Sequence, residues 1–503
     1  MPFQRASGIL LHPTSFPGPF GMGDLGPTAY QFVDFLAETG QQIWQVLPLG
    51  PTGHGNSPYM SYSAMAGNHM LISLEQLRDR GLLSQDDLDS FPHFPEDAVE
   101  YSDVLPEKLK LLEKAAEAFH HSTDEGTRAE YDQFCQERAF WLDDYAFFMA
   151  AKRAHEGASW NQWHEDLARR KPQAMVDWHD KLSKAIAYHK YFQFEFDRQW
   201  ASLKQYANER HIQIVGDMPI YVAHDSVDVW AFPDNFMIDE ETLEPSEMAG
   251  VPPDYFSETG QLWGNPTYDW DVLKKRGFGW WLQRLKSLLS YVDLIRIDHF
   301  RGFQAYWAVK EGETTAINGQ WIEAPGEAFF TTVREEFGSL PILAEDLGLI
   351  TPEVEALRDK FDFPGMKILQ FAFGGDHTNP YLPFNYVQNS LVYTGTHDND
   401  TTVGWFDRAS EYERDRVLQY IGGMSGEGIH WSMIRLALSS ISNQAIIPLQ
   451  DVLGLGSFAR MNSPGKAEGN WGWRYRSEML TGELRERLRE LTRLYGRAPA
   501  HWN

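Results

Sequence analysis

The sequence predicts an α/β fold whose parallel sheet closes into a TIM (β/α)8 barrel. Short apolar runs typical of strands recur through most of the chain, and helical patterns lie between several of them, which favours a parallel sheet. Three of these runs stop at an acidic residue, namely Asp298, Glu345 and Asp398. Because α/β barrels carry their catalytic groups at the C-terminal ends of the strands, this placement favours a barrel.

Seven strands are predicted from apolar runs that end before a proline, a glycine or a polar group. They cover residues 43–47, 212–215, 291–297, 340–344, 367–373, 390–397 and 445–449. An eighth strand, needed to close the barrel, is predicted at 70–73, where the apolar signal is weaker.

Helical spacing of apolar residues is found between the strands and near the C-terminal end of the sequence. The predicted helices cover 29–39, 280–290, 352–360, 411–421 and 478–495.

Two segments depart from the alternation of strand and helix. Residues 75–210 carry helical spacing almost throughout and are too long for one crossover, so we predict an inserted helical subdomain. Residues 223–275 are rich in Pro, Gly, Asp and aromatic residues, and long segments of this kind are usually functional. We predict one catalytic barrel over residues 1–503, with 223–275 as a loop-rich insertion on the catalytic face that covers the active site.

Composition restricts the partners that the chain can have. The formal net charge of −27 predicts that neither nucleic acid nor an anionic membrane is a partner, because both would be repelled. The single cysteine, Cys135, cannot form an internal disulfide, which fits a reducing compartment. No signal peptide and no apolar stretch of the roughly 18 residues needed to span a membrane is visible. We therefore predict a cytoplasmic protein whose substrate is neutral.

The acidic residues at the strand ends are the candidate catalytic groups. Arg296 lies on the same strand face as Asp298, and an adjacent cation keeps a carboxylate ionised, as a nucleophile must be. Glu345 follows apolar residues, so burial can raise its pKa toward a value useful for a proton donor. A buried Arg–Asp structural pair and a simple ion pair for Glu345 remain the alternatives when each motif is taken alone.

His397 and Asp398 lie at the end of a third strand, and Asp217 follows Gly216 at a fourth. The sequence from Asp398 does not match an EF-hand calcium loop, because Val403 and Ala409 occupy the positions where that loop has glycine and an acidic residue. We expect no metal, and no cofactor either, since no nucleotide-binding glycine motif is present. The occurrence of several acidic residues at separate strand ends favours a functional site, because burying an unpaired carboxylate costs free energy.

At these residues the sequence resembles the 4-α-glucanotransferases of the amylomaltase (disproportionating enzyme) type, in the retaining α-amylase clan. The resemblance runs nearly end to end. It rests on Trp44-Gln45-Val46-Leu47-Pro48-Leu49-Gly50-Pro51-Thr52, Ser57-Pro58-Tyr59, Asp217-Met218-Pro219-Ile220-Tyr221, Arg296-Ile297-Asp298-His299-Phe300-Arg301-Gly302, Ala344-Glu345-Asp346-Leu347-Gly348, Gly395-Thr396-His397-Asp398-Asn399-Asp400, Arg460-Met461-Asn462-Ser463-Pro464-Gly465 and Asn470-Trp471-Gly472-Trp473-Arg474.

The resemblance implies a role for each matching residue. Asp298 is expected as the nucleophile, Glu345 as the general acid/base and Asp398 as the third carboxylate. The substrate-binding residues that it implies are Tyr59, Asp217, Tyr255, Phe256, Gln261, Trp263, Arg296, His299 and His397. His54 and Met60 depart from the family pattern, where Tyr and Gln are expected, which bears on accessory sugar contacts.

The expected activity is transfer of α-1,4-glucan segments to glucose or malto-oligosaccharide acceptors, by a retaining double displacement through Asp298. Two alternatives are an α-amylase-type glucan hydrolase and a glucan-binding protein without catalysis. Oligomeric state does not follow from the sequence.

Overall fold

The computed structural model describes residues 3–253, 257–424 and 426–502, and eight of its strands close into a parallel barrel. The described residues form twelve strands: β1 (Ala6–Leu10), β2 (Ile43–Gln45), β3 (Gln213–Met218), β4 (Glu247–Val251), β5 (Gln261–Pro266), β6 (Leu294–Ile297), β7 (Ala305–Lys310), β8 (Gln320–Glu323), β9 (Ile342–Ala344), β10 (Gly365–Ile368), β11 (Ser390–Tyr393) and β12 (Gln444–Pro448). The order around the barrel is β1-β12-β11-β10-β9-β6-β3-β2. The predicted (β/α)8 barrel is thereby confirmed.

The strand predicted at 70–73 is wrong, and the barrel is closed by β1 instead. The predicted segment forms a 3-10 helix, His69–Leu71, because the Asn68 side chain accepts from the Met70 N–H; Ser73 then caps the next helix. The β1 strand is buried throughout, but Ser7 and Gly8 interrupt its apolar run. Gly8 is needed there, since a Cβ would lie 2.3 Å from the Ile43 carbonyl oxygen.

The helices of the described residues are numbered along the chain. They are α1 (Pro27–Glu38), α2 (Leu74–Asp79), α3 (Gln85–Asp89), α4 (Tyr101–His121), α5 (Glu125–Ala154), α6 (Glu165–Ala168), α7 (Pro172–Glu209), α8 (Val227–Ala231), α9 (Trp270–Lys275), α10 (Gly279–Tyr291), α11 (Gly326–Phe337), α12 (Pro352–Lys360), α13 (Thr402–Arg408), α14 (Glu411–Ile421), α15 (Ile429–Ser439), α16 (Leu449–Val452) and α17 (Gly482–Leu494). Their bounds agree with the predicted helices to within a few residues, and α12 and α14 match them at both ends. At α14 the sequence itself sets the start, because Ser410 and Glu413 form a capping box.

Long helices fill the segment between β2 and β3. The α7 helix is 38 residues long and the α5 helix 30. Trp200 of α7 ties this helical region to the barrel, because its indole N–H donates to the Tyr291 carbonyl at 2.7 Å and its ring lies 5.9 Å from that of Trp44.

The segment 223–275 is more ordered than its composition suggests. It contributes β4 and β5, which join β7 and β8 in an antiparallel sheet of order β5-β4-β7-β8. The pairing cannot be recognised in the sequence because β4 (Glu-Met-Ala-Gly-Val) has no clear alternation of apolar and polar residues. In addition, the barrel strand β6 comes between β4 and its partner β7 along the chain. Within the described ranges, no helix is long and apolar enough to cross a lipid bilayer.

Candidate active site

Three adjacent strands of the barrel bring their carboxylates to one edge. Asp217 lies within β3, Asp298 directly follows β6, and Glu345 directly follows β9. The strands β3, β6 and β9 are hydrogen-bonded neighbours in the parallel barrel, so their C-terminal ends face the same side. His397 and Asp398 follow β11, two strands further around.

Arg296 joins two of these carboxylates. Its Nη1 donates to both Asp217 oxygens at 2.6 and 2.7 Å, and its Nη2 lies 3.0 Å from Oδ1 of Asp298. Burial disfavours the guanidinium charge, but the carboxylates of Asp217 and Asp298 hold the pKa of Arg296 well above its usual value. Asp217 is fully buried, whereas 30% of the Asp298 side chain is exposed. Asp298 is therefore the one of the two that a substrate can reach.

Glu345 is held by two backbone donors. The His299 N–H donates to Oε2 at 2.6 Å, and the Leu347 N–H donates to Oε1 at 2.9 Å. Burial raises the pKa of Glu345 to about 7, and the Asp298 charge adds to this rise, although Arg296 and the two N–H groups oppose it. Glu345 can therefore hold a proton near neutral pH, as a general acid must.

The His299 backbone is in the left-handed region at φ 52°, an uncommon conformation for a residue other than glycine. The Trp263 ring packs edge-on against the imidazole, with the ring centroids 5.0 Å apart. Burial lowers the pKa of His299 to about 4, so the ring is neutral. Its Nε2 is buried and has no hydrogen-bond partner among the described residues, which leaves that nitrogen free for a ligand.

Asp398 is held from the opposite side of the barrel rim. His397 Nε2 lies 3.3 Å from Oδ2, and Asn462 Nδ2 donates to Oδ1 at 2.6 Å. Burial opposes ionisation, but His397 and Asn462 together hold the pKa of Asp398 well below its usual value. Burial likewise opposes the His397 charge, and the Asp398 carboxylate overcomes it and raises the pKa of His397. Asp398 is therefore an ionised carboxylate.

Tyr59 contacts both Asp217 and His397 and so connects the two parts of the site. Its hydroxyl donates to Asp217 Oδ2 at 2.7 Å, and its ring stacks on His397 with the centroids 5.0 Å apart. Burial, together with the charge of Asp217, raises the pKa of this hydroxyl well above its usual value. Tyr59 thus gives the site a flat apolar wall between acidic groups.

Proteins of known activity that are similar in sequence identify the family of this chain. A model of the 4-alpha-glucanotransferase family matches residues 11–481. The chain belongs to the 4-alpha-glucanotransferase family. It is 57% identical to the 4-alpha-glucanotransferase of Synechocystis sp. over 99% of both chains, and 48% identical to that of Thermus thermophilus over 98% of this chain and 99% of the relative. Like these enzymes, it has 4-alpha-glucanotransferase activity on alpha-glucans.

Solved structures agree with this assignment to the 4-alpha-glucanotransferase family. The amylomaltase from Streptococcus agalactiae, in complex with acarbose, has a TM-score of 0.95 and 41% identity, and the match covers 99% of this chain and all of that one. The amylomaltase from Corynebacterium glutamicum has a TM-score of 0.81 at 18% identity, over 97% of this chain and 75% of that one; this second likeness supports the fold alone.

One of the predicted site residues is exposed, and two others cannot be placed because they lie outside the described residues. Gln261, at the start of β5, is exposed, and its Oε1 accepts from the Trp263 indole N–H at 3.2 Å. Tyr255 and Phe256 lie outside the described residues. No group of three or more acidic, His or Cys side chains suited to a metal ion occurs in the described ranges.

Sequence reasoning on this 4-alpha-glucanotransferase missed the residues that support Asp398. Arg460 donates through Nη2 to the Asp398 carbonyl oxygen at 2.5 Å and through Nε to the Asn462 carbonyl oxygen at 2.7 Å. Trp471 adds a ring contact at 5.9 Å from Tyr59. The segment 460–465 contributes to the family resemblance, but the sequence assigns no role to its residues, because their partner Asp398 is more than sixty residues earlier in the chain.

Proposed function

We propose that the enzyme moves α-1,4-glucan segments to glucose or malto-oligosaccharide acceptors by a double displacement that retains the anomeric configuration. The observation that carries this proposal is the pairing of a partly exposed Asp298, 3.0 Å from the Arg296 guanidinium, with a buried Glu345 whose pKa is raised to about 7. Two carboxyl groups with these opposite properties are what a retaining glycosidase needs.

In the first half-reaction, Glu345 donates its proton to the glycosidic oxygen while Asp298 attacks the anomeric carbon from the opposite face. The bond from that carbon to the oxygen breaks, and the released glucan departs with the proton as a new 4-hydroxyl group. An ester between the Asp298 carboxylate and the donor sugar remains on the enzyme. Arg296, 3.0 Å from Asp298, places its positive charge beside the attacking carboxylate.

In the second half-reaction, the ionised Glu345 removes the proton from the 4-hydroxyl of an acceptor, whose oxygen attacks the anomeric carbon and displaces Asp298. Loss of the Asp298 charge in the intermediate lowers the pKa of Glu345, because that charge is one of the two causes of its rise. The same residue is thereby tuned as an acid in one step and as a base in the next. Water in place of the acceptor gives hydrolysis.

The remaining groups are proposed to bind the donor sugar. Asp398 would hold sugar hydroxyls and stabilise positive charge at the reacting carbon, since its carboxylate is ionised and 45% of its side chain is exposed. Tyr59, Arg296, His299 and His397 would line the donor sugar, and the buried Asp217 would hold Tyr59 and Arg296 in position for it. Acarbose is bound by the Streptococcus agalactiae relative, and we propose that it occupies the same groups in this enzyme.

The segment 223–275 is proposed to cover the bound glucan. Trp263 of β5 lies against His299, which places one edge of the antiparallel sheet beside the reacting groups. Gln261, Tyr255 and Phe256 are proposed to contact the glucan from this segment. A cover of this kind excludes water and orients the acceptor, which favours transfer over hydrolysis.

Incubation with maltotriose tests the proposal. Transfer produces glucose together with a ladder of longer malto-oligosaccharides, whereas hydrolysis produces only glucose and maltose. Mass spectrometry after reaction with a 5-fluoro-glycosyl fluoride should locate the trapped sugar on the peptide that carries Asp298. A label on another carboxylate would refute the assigned nucleophile, and failure to form the ladder would refute transfer.

A further inference from the structure

An exposed aromatic surface is formed by two segments that follow the barrel strands β10 and β11, outside the group of residues described above. It consists of Phe384, in the 3-10 helix Pro383–Asn385, together with Tyr412, Arg416 and Tyr420 of α14. Phe384 is 62% exposed, Tyr412 60% and Tyr420 37%. Exposed apolar surface with a polar border is typical of a site of interaction. We call these four residues the rim aromatic surface.

The side chains of the rim aromatic surface contact one another and the residues behind them. Residues 412, 416 and 420 lie four apart and so share one face of α14. Arg416 holds Tyr412, because its Nη1 donates to the Tyr412 hydroxyl at 2.7 Å and also to the Gly375 carbonyl oxygen. Phe384 stacks on Tyr420, at a centroid distance of 6.4 Å, and the buried Phe373 supports Tyr420 from behind at 5.7 Å. A rigid aromatic surface binds a ligand with little loss of conformational entropy.

The segment that carries Phe384 begins beside the proposed acid/base. Tyr381, from the same segment, packs edge-on against Phe371 at 5.5 Å. Asn379 of the same segment donates through Nδ2 to the Phe371 and Ala372 carbonyl oxygens at 2.8 and 3.1 Å, just after β10. The β10 strand pairs with β9, the strand that Glu345 directly follows. The side of Glu345 is the side from which the released glucan departs and the acceptor enters. The segment 371–387 therefore leads from that side of the cleft to the rim aromatic surface.

We propose that the rim aromatic surface binds an α-1,4-glucan chain where it extends beyond the cleft on the leaving-group and acceptor side. This inference rests on the function proposed above. The C–H faces of glucose units would lie on Phe384 and Tyr412, and sugar hydroxyls would bond to Arg416 and the tyrosine hydroxyls. Tyr412 and Tyr420 are separated by about 12 Å along the helix, room for several sugar units, so only long glucans would use the surface.

Charge favours a neutral sugar over other occupants. The first turns of α14 carry Glu411, Glu413 and Asp415 together with Arg414 and Arg416, so the surface has little net charge of its own, whereas the whole chain carries −27. A strongly anionic partner, or a second copy of this chain, would be repelled by the charge of the whole molecule. An α-glucan has no charge and gains from both the rings and the hydrogen-bonding groups.

The test compares a short substrate with a long one in the full-length enzyme. The double variant Phe384→Ala/Tyr412→Ala should disproportionate maltotriose within two-fold of the wild-type rate. Its KM for amylose of several tens of glucose units should rise about five-fold or more, a size expected for loss of two aromatic contacts. In an inactive Asp298→Ala background, calorimetry with the same amylose should give a dissociation constant raised by a similar factor.

Matched variants separate the outcomes. Phe140→Ala removes an aromatic ring of the helical region that is 40% exposed, and it should change neither KM. Phe384→Leu keeps apolar bulk but loses the flat ring, so it should raise the amylose KM without disturbing the fold. This variant serves as the test if the double variant folds poorly. Equal amylose KM values in wild type and variants overturn the inference. It is also overturned if light scattering shows that the variants lose self-association of the enzyme while their glucan binding is unchanged. A wild-type enzyme without a maltotriose ladder would instead refute the proposed function.

Discussion

The backbone N–H of His299 donates a 2.6 Å hydrogen bond to Oε2 of Glu345. His299 directly follows Asp298 in the chain, so the strand end that carries the proposed nucleophile also holds the proposed acid/base. The next residue adds a second bond, since the Phe300 N–H donates to the Glu345 carbonyl oxygen at 3.1 Å. In the other direction, the Glu345 N–H donates to the Ile297 carbonyl oxygen at 3.0 Å. The relative position of the two carboxyl groups is thereby fixed through the backbone, which is stiffer than a contact between side chains.

Replacing Glu345 by Gln tests its role as proton donor. We expect turnover of maltotriose to fall by about 10²- to 10⁴-fold, the usual contribution of general acid–base catalysis. Glycosylation by α-maltosyl fluoride should fall much less, because fluoride departs without protonation. Rates for both donors would be measured by product formation and by fluoride release.

The matched control for this substitution is Glu355→Gln, which changes an exposed carboxylate on α12 and should leave both rates unchanged. Equal losses of the Glu345 variant with maltotriose and with the fluoride donor would contradict the role of acid. In that case Glu345 would only support the shape of the site.

The pH dependence should have opposite signs in the two half-reactions. Glycosylation from maltotriose needs protonated Glu345, so its kcat/KM should fall as the pH rises through about 7, the raised pKa of this group. Transfer from the intermediate needs ionised Glu345, so that step should fall as the pH is lowered. Because the Asp298 charge is absent in the intermediate, the second midpoint should lie below the first. Pre-steady-state rates between pH 4 and 9 measure both; coinciding midpoints would contradict the coupling.

The sequence predicts most of the barrel because parallel strands buried on both faces leave continuous apolar runs. It misses β1, whose run is interrupted by Ser7 and by Gly8, a glycine that close approach to Ile43 requires. It also misses the antiparallel sheet, because β4 pairs with β7, more than fifty residues later. Local pattern carries no information about a partner that distant.

The acidic groups at the strand ends could be predicted because strand direction alone brings them to one edge of the barrel. The residues that hydrogen-bond to these acidic groups could not be predicted in this way. Asn462 reaches Asp398 from a loop after β12, and Tyr59 reaches Asp217 from a loop after β2. Loop conformation decides these contacts, and nothing in the spacing of residues along the chain specifies it.

Replacing Asn462 by Ala should weaken catalysis through Asp398. A hydrogen bond to a charged group contributes about 1.5–3 kcal/mol, so kcat/KM for maltotriose should fall by roughly 10- to 100-fold. The acidic limb of the pH profile should also move upward, because Asn462 helps to hold the pKa of Asp398 down. The matched control is Asn318→Ala. The exposed Asn318 amide donates to Glu313, and its loss should change neither quantity. A fall in rate without a shift of the acidic limb would mean that Asn462 acts elsewhere.

Replacing Arg296 by Lys should impair both stability and activity. The guanidinium reaches three carboxylate oxygens at once, and a lysine ammonium cannot reproduce that fork. Asp217 would be left buried with weaker compensation, which we expect to cost about 3 kcal/mol or more of the free energy of unfolding. Urea unfolding measures this loss, and Arg276→Lys, at an exposed ion pair with Asp234, is the control. Equal midpoints for wild type and Arg296→Lys would contradict the bridging role.

Replacing Trp263 by Ala should shift the balance between transfer and hydrolysis. The Trp263 ring lies edge-on against His299, whose left-handed backbone presents its N–H to Glu345. Without the ring, water gains access to the glycosyl-enzyme, and the ratio of maltotetraose to maltose formed early from maltotriose should fall about five-fold or more. The control Trp178→Ala changes a half-buried ring on α7 that packs on His155 and should keep the ratio. If Trp263→Ala lowered transfer and hydrolysis equally, Trp263 would serve only to bind the donor and not to exclude water.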